Sequence, residues 1–137
     1  MNAQRDWGHA KDYVEGMYLM LQQSEPEDFV LATGITTTVR NFVKLSFLEL
    51  GIELKFEGED ENEVGKVYKC NGEYILPIDK TVVMVDKSYF RPTEVDLLIG
   101  DASKAKEKLG WTPKYTLETL VKEMILSDIE NEKNIYD

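Results

Sequence analysis

An arginine and a glutamate three residues apart form the pattern in this sequence best suited to binding an anion. They are Arg91 and Glu94, within the stretch YFRPTEVD at residues 89–96. Pro92 fixes its own φ and disfavours a helical conformation at Arg91, so we expect Arg91 to project from a stiff loop. A guanidinium binds phosphate through bidentate charge-assisted hydrogen bonds, and a nearby carboxylate can accept from sugar hydroxyls. The alternative is a solvent-exposed ion pair between Arg91 and Glu94, since most charged side chains lie at the surface.

The composition is that of a soluble globular protein. The sequence has 137 residues, of which 42% are hydrophobic and 31% charged, enough for one domain with its own core. The formal net charge of −10 argues against nucleic acid or an anionic membrane as a partner, because clustered Lys and Arg bind such phosphate surfaces. A small phosphorylated ligand needs one or two cations and is compatible with this charge.

Targeting and redox signals are sparse. No apolar run approaches the roughly 20 residues that cross a bilayer, and residues 2–12 are largely polar, so we expect neither a membrane span nor a signal peptide. The single cysteine, Cys70, cannot form an internal disulfide. It favours a reducing compartment, and we therefore predict a cytoplasmic protein.

Neither a metal site nor a catalytic motif is predicted. His9 and Cys70 lie too far apart in sequence for known zinc-ligand spacings. The acidic segment 57–63 is typical of a solvated loop and lacks the spacing of a calcium loop. The sequence also has no glycine-rich dinucleotide fingerprint, no phosphate loop and no Tyr-x-x-x-Lys pair.

Hydrophobic periodicity predicts alternating helices and strands in the first half of the chain. A helix is expected over about residues 9–23, where apolar residues recur at steps of three and four. The apolar run 29–32 is typical of a strand buried on both faces. A threonine at 36–38 is expected to cap a second helix that ends at Gly51, and residues 52–57 alternate as a half-exposed strand does. This order indicates a layered α/β architecture.

The second half gives weaker signals. Between residues 58 and 80 we expect a loop, with a hairpin around Asn71 and Gly72 as one possibility. Residues 82–85 are strand-like, although they could also be an extended lead into the Arg91 loop. Asp101 is expected to cap a short helix ending at Gly110, and Thr116 with Thr119 to open a last amphipathic helix.

Several other polar and aromatic residues have ordinary structural explanations. Asp6 and Asp12 lie near a predicted helix start, where carboxylates complement the helix dipole or cap free amides. Trp7 is interpreted as a core or interface anchor and Trp111 as a core residue. No carboxylate or second ligand is placed near His9 by sequence, so we interpret it as a structural or merely exposed histidine rather than a catalytic one.

Four blocks of this sequence, taken in order, resemble the GDP-mannose 4,6-dehydratases, members of the extended short-chain dehydrogenase/reductase class. The blocks are RDWGHAKDYVE at 5–15, PEDFVLATG at 26–34, YFRPTEVD at 89–96, and GD at 100–101 followed by KA at 104–105 and KLGWTP at 108–113. Together they span about residues 2–128. The resemblance is weakest over residues 58–81.

The resemblance implies the α/β fold of the C-terminal, substrate-binding portion of such an enzyme, with helices packed on short strands and the Rossmann half absent. Residues 1–128 would form the nucleotide-sugar-binding domain and residues 129–137 a charged, frayed tail. The complete enzymes convert GDP-mannose to GDP-4-keto-6-deoxymannose with NADP. Because the catalytic and NADP-binding half is missing, the resemblance implies that this chain holds no catalytic residue, binds no cofactor by itself and is inactive alone.

The family pattern also assigns binding roles to three residues. It implies that Arg91 contacts the diphosphate or ribose of the ligand, that Glu94 contacts ribose hydroxyls, and that Arg5 lies beside the diphosphate. The implied partners are GDP-mannose or a related GDP-sugar, a Rossmann-domain complement and, in a homo-oligomer, further copies of the chain. Neither nucleic acid nor membrane is implied.

Two alternatives to this function stay open at the level of sequence. The chain could be a non-catalytic module that binds another phosphorylated ligand, or a structural domain that docks onto a Rossmann partner. Whichever function holds, a fragment without its usual sheet should expose an apolar patch and an unpaired strand edge, and should therefore self-associate.

Overall fold

Within residues 1–89 and 97–136, the chain forms four α-helices and five short strands. The structure is a computed structural model that describes these residues, with side chains as far as residue 132. In chain order the elements are β1 (Gln4–Asp6), α1 (Ala10–Leu21), β2 (Thr36–Thr38), α2 (Val39–Glu49), β3 (Ile52–Glu57), β4 (Val64–Cys70), β5 (Thr81–Met84), α3 (Ser103–Leu109) and α4 (Leu117–Tyr136). The predicted α/β fold class, with helices packed on short strands, is confirmed.

The described strands form two small antiparallel sheets. β1 pairs with β2, so that Arg5 is opposite Thr37. The second sheet has the order β3-β4-β5, with Ile52 opposite Cys70. On the edge of β1 that does not pair with β2, Gln4 forms an isolated parallel bridge with Leu97. This bridge places Leu97, the first described residue after segment 90–96, directly beside β1.

Local capping explains where the helices begin and end. The Thr38 hydroxyl accepts from the amide of Asn41 at 3.1 Å and caps α2. Thr116 and Thr119 cap α4 reciprocally, each hydroxyl accepting from the other residue's amide. α2 and α3 are each followed by a glycine in the left-handed region, Gly51 at φ 72° and Gly110 at φ 67°. These predicted signals are confirmed.

The core lies where α2 packs against β3 and α4, and where α1 meets α3. Its buried apolar residues are Ala32, Ile52, Val67, Ala105, Trp111 and Val121. Trp111 donates from its indole nitrogen to the Asp12 carbonyl oxygen at 2.8 Å. The buried Asp12 carboxylate accepts from the amides of Lys114 and Tyr115 at 3.1 and 3.2 Å. Asp12 therefore ties α1 to the segment that precedes α4.

The strand predicted at residues 29–32 is wrong, because this segment belongs to no strand of the structure. Ala32 is buried as expected, but Val30 is 51% exposed. A strand needs a neighbour to complete its hydrogen bonds, and the described residues provide none beside this segment. The segment has the apolar sequence of a buried strand, but it has no strand to pair with among the described residues.

Two further strands were not predicted, and a third was predicted only as part of a possible hairpin. β1 and β2 have three residues each, too short for a period-two pattern to be recognised. β4 lies in the region predicted as a loop, and it pairs with β5 through Val64 and Met84. The predicted hairpin near Asn71 and Gly72 therefore exists, with the longer connection 71–80 in place of a two-residue turn.

The last helix is longer than the sequence pattern indicated. α4 continues to Tyr136, past residue 128, where we placed the boundary between the domain and a charged tail. That boundary and the fraying of residues 129–137 stay predictions. None of the helices in the described residues has the length and apolar character of a membrane-spanning segment.

The apolar face of α1 is largely uncovered. Its residues follow helical spacing but are between 57% and 82% exposed, and they are Val14, Met17, Tyr18 and Leu21. The buried residues of the same helix are Asp12 and Gly16. The helix is therefore packed through its polar and small residues, and its apolar stripe faces away from the rest of the chain.

Candidate functional site

Arg5 lines an open cavity of about 370 Å³ between β1, the segment 30–32 and the segment 98–100. The strand pairing with β2 fixes its backbone, and its side chain is half-buried. The guanidinium donates to the Gln4 carbonyl oxygen at 2.8 Å. The described lining residues are Arg5, Asp6, Tyr13, Val30, Leu31, Ala32, Leu98, Ile99 and Gly100. A cation beside an apolar wall is suited to holding an anionic group of a larger ligand.

Asp6 organises the turn next to this cavity. One of its carboxylate oxygens accepts from the Thr33 amide at 3.1 Å and from the Thr33 hydroxyl at 2.6 Å. The other accepts from the Gly34 amide at 2.8 Å. The predicted role of Asp6 at a helix start is therefore wrong: its carboxylate caps a turn 27 residues later in the sequence. The same bonds hold the segment 30–32 next to Arg5.

Tyr13 provides a neutral hydroxyl at the same cavity. Burial raises the pKa of Tyr13 above its ordinary value, and the carboxylates of Asp6 and Asp12 raise this pKa further. Gly8 allows the ring to approach, because a Cβ at position 8 would overlap the Tyr13 hydroxyl. The absence of a side chain at Gly8 therefore leaves room for the Tyr13 hydroxyl.

Arg91 and Glu94 lie outside the described residues, and their proposed contacts stay predictions. The residues on either side of segment 90–96, which contains both, are described. Before it, the Tyr89 amide donates to the Asp86 carbonyl oxygen at 3.1 Å. After it, Leu97 is bridged to Gln4, and the Leu98 amide donates to the Gln4 carbonyl oxygen at 3.4 Å. Leu97 and Leu98, the first described residues after this segment, therefore lie beside Gln4, the residue that precedes Arg5.

A second cavity, of about 490 Å³, lies between Trp7, Phe42 and α4. His9 is 7% exposed, and its Nδ1 accepts from the Lys11 amide at 3.0 Å. Its Nε2 lies 3.3 Å from the Glu123 carboxylate, which also accepts from the Lys11 ammonium at 2.7 Å. The hydrogen bond from Lys11 lowers the pKa of Glu123 below its ordinary value. His9 thus has the structural role that was predicted, as the cap of α1 and a link to α4.

Trp7 also has a structural role. Its ring stacks on Phe42 with centroids 4.3 Å apart, and its indole nitrogen donates to the Thr37 carbonyl oxygen at 3.1 Å. Sequence reasoning missed the partner of His9, Glu123, because 114 residues separate them. No local pattern signals a contact over that separation.

The acidic segment 57–63 forms ion pairs with basic residues. Glu57 pairs with both Lys55 and Lys66, and the hydrogen bond from Lys66 lowers the pKa of Glu57. Glu61 pairs with Lys87 at 3.4 Å. Among residues 1–89 and 97–136, no cluster of three or more His, Cys, Asp or Glu side chains could hold a metal ion.

The fold matches part of a larger known structure. The structure of RMD from Pseudomonas aeruginosa complexed with NADPH aligns with 96% of this chain at a TM-score of 0.61. The alignment covers 34% of that chain, at 16% sequence identity. At this identity the match shows a shared fold: the chain has the α/β fold of a portion of that protein.

Sequence comparison then shows the family. Residues 1–124 match the family model described as GDP-mannose 4,6 dehydratase. The chain is 50% identical to GDP-mannose 4,6-dehydratase of Vibrio cholerae over 95% of its length, and 52% identical to the human enzyme over 95%. It is 53% identical to that of Dictyostelium discoideum over 98%. The chain therefore belongs to the GDP-mannose 4,6-dehydratase family, and the predicted resemblance is confirmed.

The match covers a limited part of each relative. The chain spans 36% of the Vibrio cholerae protein, 33% of the human protein and 35% of the Dictyostelium discoideum protein. It thus corresponds to about one third of these relatives, as expected for a fragment.

Proposed function

We propose that this chain is the substrate-binding part of a GDP-mannose 4,6-dehydratase, and that it binds the GDP moiety of GDP-mannose. The observation that carries the proposal is the family match over residues 1–124, at about 50% identity to proteins of that name. The reaction, the NADP-dependent conversion of GDP-mannose to GDP-4-keto-6-deoxymannose, belongs to the complete enzyme. This chain, about one third of its relatives, is expected to be inactive alone.

The position of Arg5 supports the binding role. Arg5 lines a cavity between β1 and the segments 30–32 and 98–100. Leu97, which follows the segment containing Arg91 and Glu94 in the sequence, is bridged to β1. In the proposal, Arg5 and Arg91 bind the diphosphate through charge-assisted hydrogen bonds, and Glu94 accepts from the ribose hydroxyls. These residues position the sugar, and none of them acts on the reacting atoms.

NADP does not fit the described residues. A dinucleotide site of the Rossmann type needs parallel strands joined by a helix whose N-terminus follows a glycine-rich turn. Here the paired strands of both sheets are antiparallel. We therefore propose that NADP and the catalytic residues are held by a Rossmann-domain complement on another polypeptide segment.

The complete assembly has a location, a docking partner and an oligomeric state in this proposal. Residues 1–128 act as the nucleotide-sugar-binding domain, in the cytoplasm, as the single Cys70 suggests. The complement docks onto this domain, and the assembly forms a homo-oligomer. The ligand class, a GDP-sugar, is the part of this proposal that can be tested directly.

Isothermal titration calorimetry with GDP and GDP-mannose tests the ligand role, with and without the N-terminal portion of a relative supplied as a separate chain. We expect Arg5→Ala and Arg91→Ala each to weaken GDP-mannose binding about 10- to 100-fold, because each removes charge-assisted hydrogen bonds. Arg5→Lys should recover part of the affinity, since it keeps the charge and loses the planar fork.

Lys122→Ala is the matched control, since it removes one positive charge from an exposed site on α4. It should leave the affinity unchanged. If neither ligand binds even with the complement present, the ligand role is lost. Stronger binding of UDP or CDP than of GDP would favour the alternative of a module for another phosphorylated ligand.

A further inference from the structure

The connection that follows β4 begins with an asparagine and a glycine, a pair with chemistry of its own. Asn71 and Gly72 are both exposed. The asparagines of the chain are Asn2, Asn41, Asn62, Asn71, Asn131 and Asn134. Of these, Asn71 alone precedes a glycine. Because glycine has no Cβ and a freely adjustable backbone, it leaves its nitrogen open to the side chain of the residue before it.

The hydrogen bonds around this pair leave the reacting atoms accessible. The Gly72 nitrogen donates no hydrogen bond to any of the described residues. The Asn71 backbone amide donates to the Gly51 carbonyl oxygen at 2.7 Å. Its side-chain nitrogen, Nδ2, donates to the Glu53 carboxylate at 3.0 Å through a bond that is exposed to solvent. Water competes with such a bond, so the Asn71 side chain can turn towards the Gly72 nitrogen without breaking a buried contact.

We propose that Asn71 is a site of spontaneous deamidation, at which the Gly72 nitrogen attacks the side-chain carbonyl carbon of Asn71, Cγ. The Gly72 nitrogen loses its proton to water or hydroxide and forms a bond to Cγ. The bond between Cγ and Nδ2 breaks, and Nδ2 takes up a proton from water and leaves as ammonia. Water then opens the cyclic imide at either of its two carbonyl carbons, which gives aspartate or isoaspartate at position 71. In sum one water is consumed and one ammonia released, with no oxidant or reductant.

The aspartate product changes the contact with Glu53. A hydrogen-bond donor is replaced by a second carboxylate, so two like charges face each other where a bond joined them. Lys69 is opposite Glu53 in the pairing of β3 with β4, and its ammonium lies 3.7 Å from the Glu53 carboxylate. This cation offsets part of the repulsion. The reaction also adds one negative charge to a chain whose net charge is already −10.

The isoaspartate product lengthens the backbone by one carbon atom where two segments approach closely. A Cβ on Gly72 would lie 2.6 Å from the Leu50 carbonyl oxygen, and a Cβ on Gly51 would lie 2.6 Å from the Gly72 nitrogen. An inserted backbone atom therefore displaces this contact together with the bond from Asn71 to Gly51. Deamidation thus acts on the end of α2 and the start of β3 as well as on the connection 71–80.

Incubation of the full chain at mildly alkaline pH, followed by peptide mass spectrometry, tests the site. Acid forms at position 71 should accumulate at least about tenfold faster than at Asn62, with isoaspartate among them and at a rate that rises with pH. Asn62 is the internal control, because it is also exposed but precedes Glu63. Equal rates at the two asparagines, or conversion to aspartate without isoaspartate, would overturn the proposal.

Two substitutions at position 71 test the effect on the fold. Asn71→Ser is the matched control, since it removes the side-chain amide without adding charge. Asn71→Asp should unfold at lower urea than Asn71→Ser, and Glu53→Gln in the same chain should remove most of this difference because it removes the like charge. Incubation should lower the urea midpoint of the unsubstituted chain and leave that of Asn71→Ser unchanged. An equal decline in both chains, or equal midpoints for Asn71→Asp and Asn71→Ser, would contradict the structural consequences assigned to the site.

Discussion

At the scale of single residues, Glu63 is a buried carboxylate whose charge is balanced by two cations. Glu63 is 2% exposed. It accepts from the Arg40 guanidinium and, at 2.7 Å, from the Met1 ammonium. Burial alone would raise the pKa of Glu63, but the hydrogen bonds from Arg40 and the Met1 ammonium outweigh burial, so that this pKa lies below its ordinary value.

We expect Glu63→Gln to lower the free energy of unfolding by about 3 kcal/mol at pH 7, because it leaves a partly buried guanidinium without its counter-charge. A pKa lowered by folding contributes stability above the unfolded pKa of about 4.3, and this contribution is lost as the pH falls through the folded pKa. Urea unfolding at pH 7 and at pH 4 should therefore show a smaller acid-induced loss in Glu63→Gln than in the unsubstituted chain.

Glu61→Gln serves as the control for this prediction. The Glu61 side chain is 42% exposed and pairs with Lys87 at 3.4 Å, so its loss should change stability by less than about 1 kcal/mol. Equal effects of the two substitutions would show that the Glu63 pair contributes no more than a surface ion pair.

Residues with local roles could be read from the sequence, whereas residues with distant partners could not. Thr38 and Gly51 cap and end a helix that lies next to them in the sequence. Their residue types and positions were therefore enough to predict their roles. The carboxylate of Asp6 binds a turn 27 residues later, and that of Asp12 binds amides more than 100 residues later. For Asp6, the nearest helix start was a misleading reference, whereas Asp12 does lie in the first turn of α1, as predicted.

At the scale of elements, two helices end on glycines that share a backbone conformation but differ in their surroundings. A Cβ on Gly51 would lie 2.6 Å from the Gly72 backbone nitrogen and Cα. A Cβ on Gly110 would meet no atom within 4 Å. Gly51 therefore both ends α2 and lets the connection 71–80 approach, whereas Gly110 only ends α3.

This difference predicts unequal costs for the same substitution. Gly110→Ala should lower the free energy of unfolding by about 1 kcal/mol, since alanine is strained at positive φ. Gly51→Ala should cost at least about 1 kcal/mol more, because its Cβ also displaces the backbone at Gly72. Urea titrations followed by circular dichroism measure both values, and equal costs would contradict the role assigned to the Gly51–Gly72 contact.

Helices and strands could be predicted where the hydrophobic pattern was long. The pairing between strands could not. The alternation in β3 and the caps of α2 and α4 lie within single elements, which is why these elements were predicted. Pairing depends on a second strand elsewhere in the chain, so the match of β1 with β2 was missed. The segment 29–32 has the strand pattern but no partner in the described residues. The predicted contacts of Arg91 and Glu94 lie on residues that the structure does not describe.

At the scale of the whole molecule, acidic charge and uncovered apolar surface act against each other. The net charge of −10 opposes association between copies. The α1 stripe and the segment 29–32 favour association, because the stripe and Val30 expose apolar side chains and the segment belongs to no strand among the described residues. The balance depends on ionic strength, since salt screens the repulsion and leaves the apolar contact intact.

We therefore expect the isolated chain to self-associate, more strongly at 1 M than at 0.1 M salt, and to bind a hydrophobic dye. The double substitution of Met17→Lys and Leu21→Lys should shift the population towards monomer in sedimentation velocity runs. Adding the complementary polypeptide should have the same effect. A compact monomer with cooperative unfolding and low dye binding at both salt concentrations would contradict this expectation.

The contacts of Asp12 and Trp111 have a consequence for dividing the chain into smaller pieces. Three hydrogen bonds form a clamp between residue 12 and residues 111, 114 and 115. Through this clamp the early and late parts of the sequence pack together in one core. Trimming either side beyond these positions removes half of the clamp. The smallest autonomous unit must therefore retain nearly the whole stretch from α1 to the start of α4.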